Sequence, residues 1–100
     1  MNTEIREAIA QRHVLELRYH GYNRVVEPHA YGRDKSSDEI LRCYQVGGGS
    51  ESGERVGWKL LKVAEAHSVH KLTQTFVQRP QYRPNDKSME YIFCQLSREP

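Results

Sequence analysis

Apolar and polar positions alternate through "VLELRYHGYNRVV", with Leu15, Leu17 and Tyr19 pointing one way and Glu16, Arg18 and His20 the other. That period of two predicts a half-buried strand. The preceding segment has a different period: Ile5, Ala8, Ile9 and Arg12 share one helical face, so a helix is expected over 3–12, with Thr3 as N-cap and Glu4 in its first turn. "HGYN" supplies turn residues, and "RVVEPHAYG" reads as a second strand paired to the first. Pro28 cannot donate to a ladder, so it belongs on an edge, at a bulge or at a strand end, and the sheet is expected to bend there.

After the polar, turn-rich stretch 32–39, "ILRCYQV" is β-branched and aromatic enough to form a third strand. From Arg55 onward, Val56, Trp58 and Leu60 fall on one face and Arg55 and Lys59 on the other. Leu61 breaks the parity, which calls for a bulge or bend. For Trp58 the flanking Val56 and Leu60 favour a place in the core. "KVAEAHSVHKL" can be written as helix or as strand, because periodicity does not separate the two. The two prolines of 77–85 predict an extended connector over the surface. Met89, Ile92, Phe93 and Leu96 then stand at helical offsets behind an Asp or Ser cap, which predicts a closing helix over 86–97. One domain over 1–100 is expected, mainly β: an SH3/Sm-like small barrel with strands at about 14–75, an N-terminal helix and a C-terminal helix. Closing short antiparallel strands into a barrel removes their exposed edges.

The 100 residues include 37% hydrophobic and 28% charged side chains, as in a folded soluble chain. No apolar run approaches the ~20 residues that span a bilayer, and the start lacks a signal-peptide pattern, so a cytoplasmic protein with no membrane partner is expected. Cys43 and Cys94 form no CxxC pair and read as buried, reduced thiols. A net charge of +2 is small, but its distribution is uneven. Residues 1–50 balance, whereas 55–87 hold seven basic residues against Glu65 and Asp86. The excess fits either a solvated face or an anionic partner.

"GGGSESGERVGWKLLKV" poses a choice between a phosphate loop and a hairpin turn. A nucleotide-hydrolase loop needs Lys and Ser or Thr directly after its glycines, yet Glu54 follows Gly53, and a dinucleotide loop must open a helix whereas a strand follows here. The segment is therefore a flexible hairpin connection.

The runs "RYHGYNRVVEPHAYG", "EILRCYQV" and "GERVGWKLLKV", with the tail "FVQRPQYRPNDKSMEYIFCQL", make residues 4–96 resemble a short, single-domain WYL protein. Glu39-Ile40-Leu41 stands where that family has Trp-Tyr-Leu. The resemblance implies an Sm-like or SH3-like barrel serving as a ligand-sensing or nucleic-acid-binding regulatory module in bacteria and phages. It also implies a strand for "KVAEAHSVHKL" and a basic pocket to which Arg42, Arg55, Lys59 and Lys62 contribute.

Binding single-stranded nucleic acid or a nucleotide-like anion takes cations for phosphate and aromatic faces for stacking. Arg24, Arg42, Arg55, Lys59 and Lys62 supply the first; Tyr31 and Tyr44, with His29 nearby, supply the second. Tyr19 and His20 lie on the same strands. Tyr19 and Tyr44 equally suit a space-filling role. Arg42 is either part of an anion site or one half of a structural ion pair, with Glu27 the nearest candidate partner. A second expectation is a protein-interaction module that docks on a larger partner or forms a homodimer. An enzyme reading rests on His29, His67 and His70 with Glu27 or Glu65. On a strand, His67 and His70 point to opposite faces, and two histidines without a third ligand make no zinc site. No catalytic triad is legible, and neither a metal nor a cofactor is expected.

Overall fold

The computed structural model describes residues 1–97. Helix α1 (Thr3–Gln11) buries Ile5, Ala8 and Ile9, the stripe its spacing predicts. Its cap is Asn2 rather than Thr3: the Asn2 side chain accepts from the Ile5 amide, and the left-handed Arg12 (φ 55°) ends the helix.

Six strands follow: β1 (His13–Tyr19), β2 (Tyr22–Arg33), β3 (Glu39–Gly48), β4 (Gly57–Lys62), β5 (Ala66–Thr75) and β6 (Tyr91–Gln95). They form one antiparallel sheet in the order β4-β3-β2-β1-β5, with β6 on β2. The β1–β2 turn uses His20 (φ 50°) and Gly21 (φ 84°), the two left-handed residues that a tight hairpin of the right twist requires. The glycine-rich stretch is the hairpin connection between β3 and β4, as its composition predicts.

β4 and β5, the two ends of the five-strand path, are joined only by the turn Val63–Glu65. In a flat sheet they would lie about 19 Å apart. The chain from Lys62 to Ala66 reaches at most about 14 Å, so the sheet must curl. It does not close: no strand pairing joins β4 to β5 among the described residues, contrary to the expectation of a complete barrel. The Tyr19 hydroxyl, accepting from the Lys62 amide at 3.0 Å, bridges the seam instead.

Long β2 organises the rest. β3 runs along one edge, while the other edge carries β1 as far as Val26 and β6 from Ala30 onward. Pro28, which has no N–H to offer, falls in the gap between them, and the register shifts between Pro28 and Ala30. The curled interior holds Leu15, Leu17, Val26, Leu41, Cys43 and Leu61.

Two expectations fail here. The closing helix is absent: residues 91–95 form β6, because the unpaired edge at Ala30–Arg33 supplies backbone partners to a stretch of high β-propensity. The apolar face of β4 is also reversed. Leu61 is buried, whereas Val56 is 60% and Leu60 41% exposed, so Val56, Trp58 and Leu60 mark the outer face. No bulge interrupts β4; the parity break coincides with the turn that follows it. "KVAEAHSVHKL" is that turn and then strand β5.

Gly32 tests the β2–β6 junction. A Cβ there would lie 2.2 Å from the Tyr91 carbonyl oxygen, whereas one at Gly47 meets Val25 at an ordinary 3.7 Å. Gly32→Ala is expected to cost about 1–3 kcal/mol in urea denaturation, and Gly47→Ala clearly less.

Candidate functional site

Pairing of Arg42 with Leu60 and of Tyr44 with Trp58 puts these four side chains on the outer face of β3–β4. Residues 76–90, the strap between β5 and β6, cross that face. Arg79 anchors it through two hydrogen bonds to Glu27, at 2.7 and 3.2 Å, and lays its guanidinium 4.0 Å from the Tyr44 ring centre. The Arg79 amide donates to Nε2 of His29 at 3.1 Å, which leaves Nδ1 of His29 to donate to the Glu27 carbonyl at 2.9 Å. His29 is thus the neutral tautomer protonated at Nδ1. Burial holds its pKa below the ordinary histidine value, and Trp58, Phe76 and Tyr82 enclose the ring.

Farther along, Asp86 takes Arg42 in two bonds of 2.7 and 3.3 Å. Arg42 is therefore half of an ion pair, with Asp86 as its partner; Glu27, the expected one, belongs to Arg79. Burial alone pushes the Asp86 carboxyl up, but hydrogen bonds from Arg42 and the Ser88 amide outweigh it and hold the pKa below the usual carboxylate range.

Between strap and sheet lies a cavity of about 240 Å³ lined by Arg42, Trp58, Gln81, Tyr82, Arg83 and Asp86. Trp58 stands edge-on to Tyr44 with ring centres 5.4 Å apart. The Tyr82 hydroxyl donates to the Leu96 carbonyl at 3.0 Å, and burial lifts its pKa to about 12, so at neutral pH Tyr82 presents an uncharged ring. The cleft thus offers two aromatic surfaces, two guanidiniums and one carboxylate.

The other residues expected to bind do not gather there. Tyr31 is fully buried; its hydroxyl accepts from the Asn2 amide and bonds Glu39, so it stacks on no ligand. Arg24 is buried inside the curled sheet, the Lys59 ammonium donates to the Glu54 carbonyl of the hairpin loop, Lys62 lies near Asp38 at the end of β4, and Arg55 is exposed in that loop. His20 bonds Glu51 and Glu65 at the surface. Register shifts along β5 pair His67 with Arg18 and His70 with Glu16, which brings both histidines to one outer face rather than to opposite ones. Among the described residues no three His, Cys, Asp or Glu side chains gather as a metal site, and no helix is long and apolar enough to cross a membrane. Cys43 and Cys94 are free, Cys43 fully buried and Cys94 half-buried.

Sequence reasoning missed Tyr82, Arg83 and Asp86. They lie in a proline-flanked stretch without periodicity, and the only signal was the cluster of basic residues after position 55. No protein family, curated protein or solved structure matches the chain.

The Asp86 pair sets a pH signature. With the folded pKa below the unfolded value, its stabilisation is complete above 3.8 and is lost as the pH falls through the folded pKa. Asp86→Asn is expected to cost about 1–2 kcal/mol at neutral pH, and its gap to wild type should narrow below 3.8 in urea titrations.

Proposed function

We propose that the chain is a non-enzymatic regulatory binding module, of the WYL type its sequence resembles, that takes a nucleotide-like anion in the cleft beneath the strap. One observation carries this reading: Trp58 and Tyr82 share a single cavity with Arg42 and Arg83. A flat ring is held by stacking and an anionic group by a guanidinium fork. Arg42 is engaged by Asp86, whereas Arg83 makes no ion pair among the described residues, so Arg83 is the cation open to a ligand. At about 240 Å³ the cavity lies just below the usual size of ligand pockets and suits one ring with one anionic group. A strand of nucleic acid needs a run of stacking platforms, and burial of Tyr31 and His29 takes two of the expected ones away. The continuous five-strand order, with its ends joined by one short turn, supports an SH3/Sm-like barrel left open at a seam.

The exposed Leu60 on end strand β4, with Val56 exposed just before it, favours a second reading, a protein-docking module.

Trp58 is the sole tryptophan, so its fluorescence reports on the cleft directly. Titration with AMP or UMP is expected to quench it saturably, and Arg83→Ala should weaken binding by about tenfold or more. No quenching at millimolar nucleotide, or unchanged affinity in a folded Arg83→Ala variant, overturns the proposal. Self-association lost in Leu60→Ser, without any nucleotide response, would move the assignment to the docking module.

A further inference from the structure

His29, on β2 beneath the strap, is fully buried, and both of its ring nitrogens are used: Nε2 accepts the Arg79 amide at 3.1 Å, and Nδ1 donates to the Glu27 carbonyl at 2.9 Å. Neutral histidine has one donor and one acceptor, and each meets its complement here. A proton added at Nε2 makes that nitrogen a second donor facing the Arg79 N–H, so the bond that pins the strap's backbone exists only while the imidazole is neutral. The charged ring would also lie out of reach of water. Trp58, Phe76 and Tyr82 surround it, with ring centres 4.8, 5.3 and 5.1 Å away. Glu27 of β2 favours the charged form, whereas Arg79 of the strap and Arg12 at the end of α1 oppose it. Glu27 is itself paired with Arg79, and Tyr82 is uncharged at neutral pH. Burial is the largest effect, and the folded pKa lies below 6.5.

The ends of the strap do not depend on that bond. The Phe76 amide donates to the Arg12 carbonyl at 3.0 Å, and the Glu90 amide donates to the Arg33 carbonyl at 2.9 Å. Between those ties, the strap's hydrogen bonds to β2 and β3 among the described residues run through Arg79, Asp86 and Ser88. Trp58 and Tyr82, two of the rings that enclose His29, are also the ring surfaces of the cleft. One imidazole thus holds the strap's backbone and touches both aromatic walls of the cleft.

We infer that His29 is a proton-operated latch on the cleft: neutral, it holds the strap down and keeps Tyr82 and Arg83 over Trp58, and protonated, it lets the middle of the strap lift and the ligand leave. The inference deepens the reading of this cleft as a nucleotide site and rests on it for what is released. The latch is fully closed above 6.5 and opens as the pH falls through the folded pKa of His29. A ligand that binds only the closed form holds the imidazole neutral to a lower pH, by the same linkage.

NMR of the ligand-free protein from about pH 8 to about pH 4.5 tests the latch by following the His29 ring and the Arg79 amide together. Asp86 stays ionised throughout that range. The exchange protection factor of the Arg79 amide should drop about tenfold or more through the His29 midpoint, while the Leu15 and Leu17 amides stay protected. His29→Gln, whose Oε1 accepts the Arg79 amide but takes no proton, should keep the strap down at every pH. Should His29→Gln fail to fold, coincidence of the His29 and Arg79 midpoints in wild type decides. AMP affinity should fall about tenfold more in wild type than in His29→Gln over the same range, the variant showing the effect of the phosphate's own titration. Arg79 protection unchanged down to about pH 4.5, lost only together with Leu15 and Leu17, or lost equally in His29→Gln, overturns the latch. AMP binding with the same pH dependence in both proteins overturns its control of the cleft. Acid opening of the strap without an AMP response at any pH retains the latch and overturns the nucleotide reading alone.

Discussion

The ion pair between Glu27 and Arg79 is the contact on which the functional face depends. Glu27 sits in the stretch of β2 left uncovered by β1 and β6, where its carboxylate is nearly buried, and Arg79 reaches it in two hydrogen bonds from a residue far along the chain. Removing either partner strands a charge under the strap, at about 1–3 kcal/mol. The cost is below that of a fully buried pair because Arg79 is about a third exposed. The same arginine donates its amide to His29 and stacks on Tyr44, so one residue ties the strap to a buried imidazole, a carboxylate and an aromatic ring. With the strap held there, Tyr82, Arg83 and Asp86 come over Trp58 and Arg42, and the open outer face of the sheet becomes a cleft.

Strand parity then sorts the basic residues into two places. Along β3, Arg42 and Tyr44 point outward while Cys43 and Gln45 point inward; β4 repeats the division with Trp58 and Lys59. Cations that look like one patch in the sequence are thus separated by the thickness of the sheet. Outside, the protein supplies its own anion to Arg42 through Asp86. Inside, Arg24 meets neutral groups, the Tyr19 carbonyl and the Gln45 side chain. Shape and charge therefore differ between the two faces: the outer one offers ring surfaces and one open guanidinium, the inner one a buried arginine held by neutral groups.

Local pattern carried much of the fold. Period-two alternation located β1 and β4, turn residues and β-propensity located β2 and β3, helical spacing located α1, glycine chemistry located the β3–β4 hairpin, and the missing N–H of proline located the break in β2. β6 was hidden because Met89, Ile92, Phe93 and Leu96 satisfy a helical period; what decides their structure is the open edge of β2, about 60 residues earlier in the chain. The cleft was half legible. Arg42 and Tyr44 stood out by residue type on strands, whereas Trp58 was expected in the core, and the partner of Arg42 lies 44 residues away and that of Glu27 lies 52. Side chains from an aperiodic strap leave no pattern from which such pairing can be read. The burial of Tyr31 and His29 was equally hidden, since it follows from α1 and the strap covering opposite sides of one strand.

Amide hydrogen exchange at Arg79, followed by NMR, tests the docked strap most directly, because this N–H donates to Nε2 of His29 only when the strap lies on the sheet. Slow exchange at Arg79 is expected in wild type and a marked acceleration in Glu27→Gln, with the Leu15 and Leu17 amides of β1 remaining protected. Exchange at Arg79 as fast as at an exposed loop residue such as Glu51, or protection unaltered in Glu27→Gln, would contradict the strap's docking through Glu27.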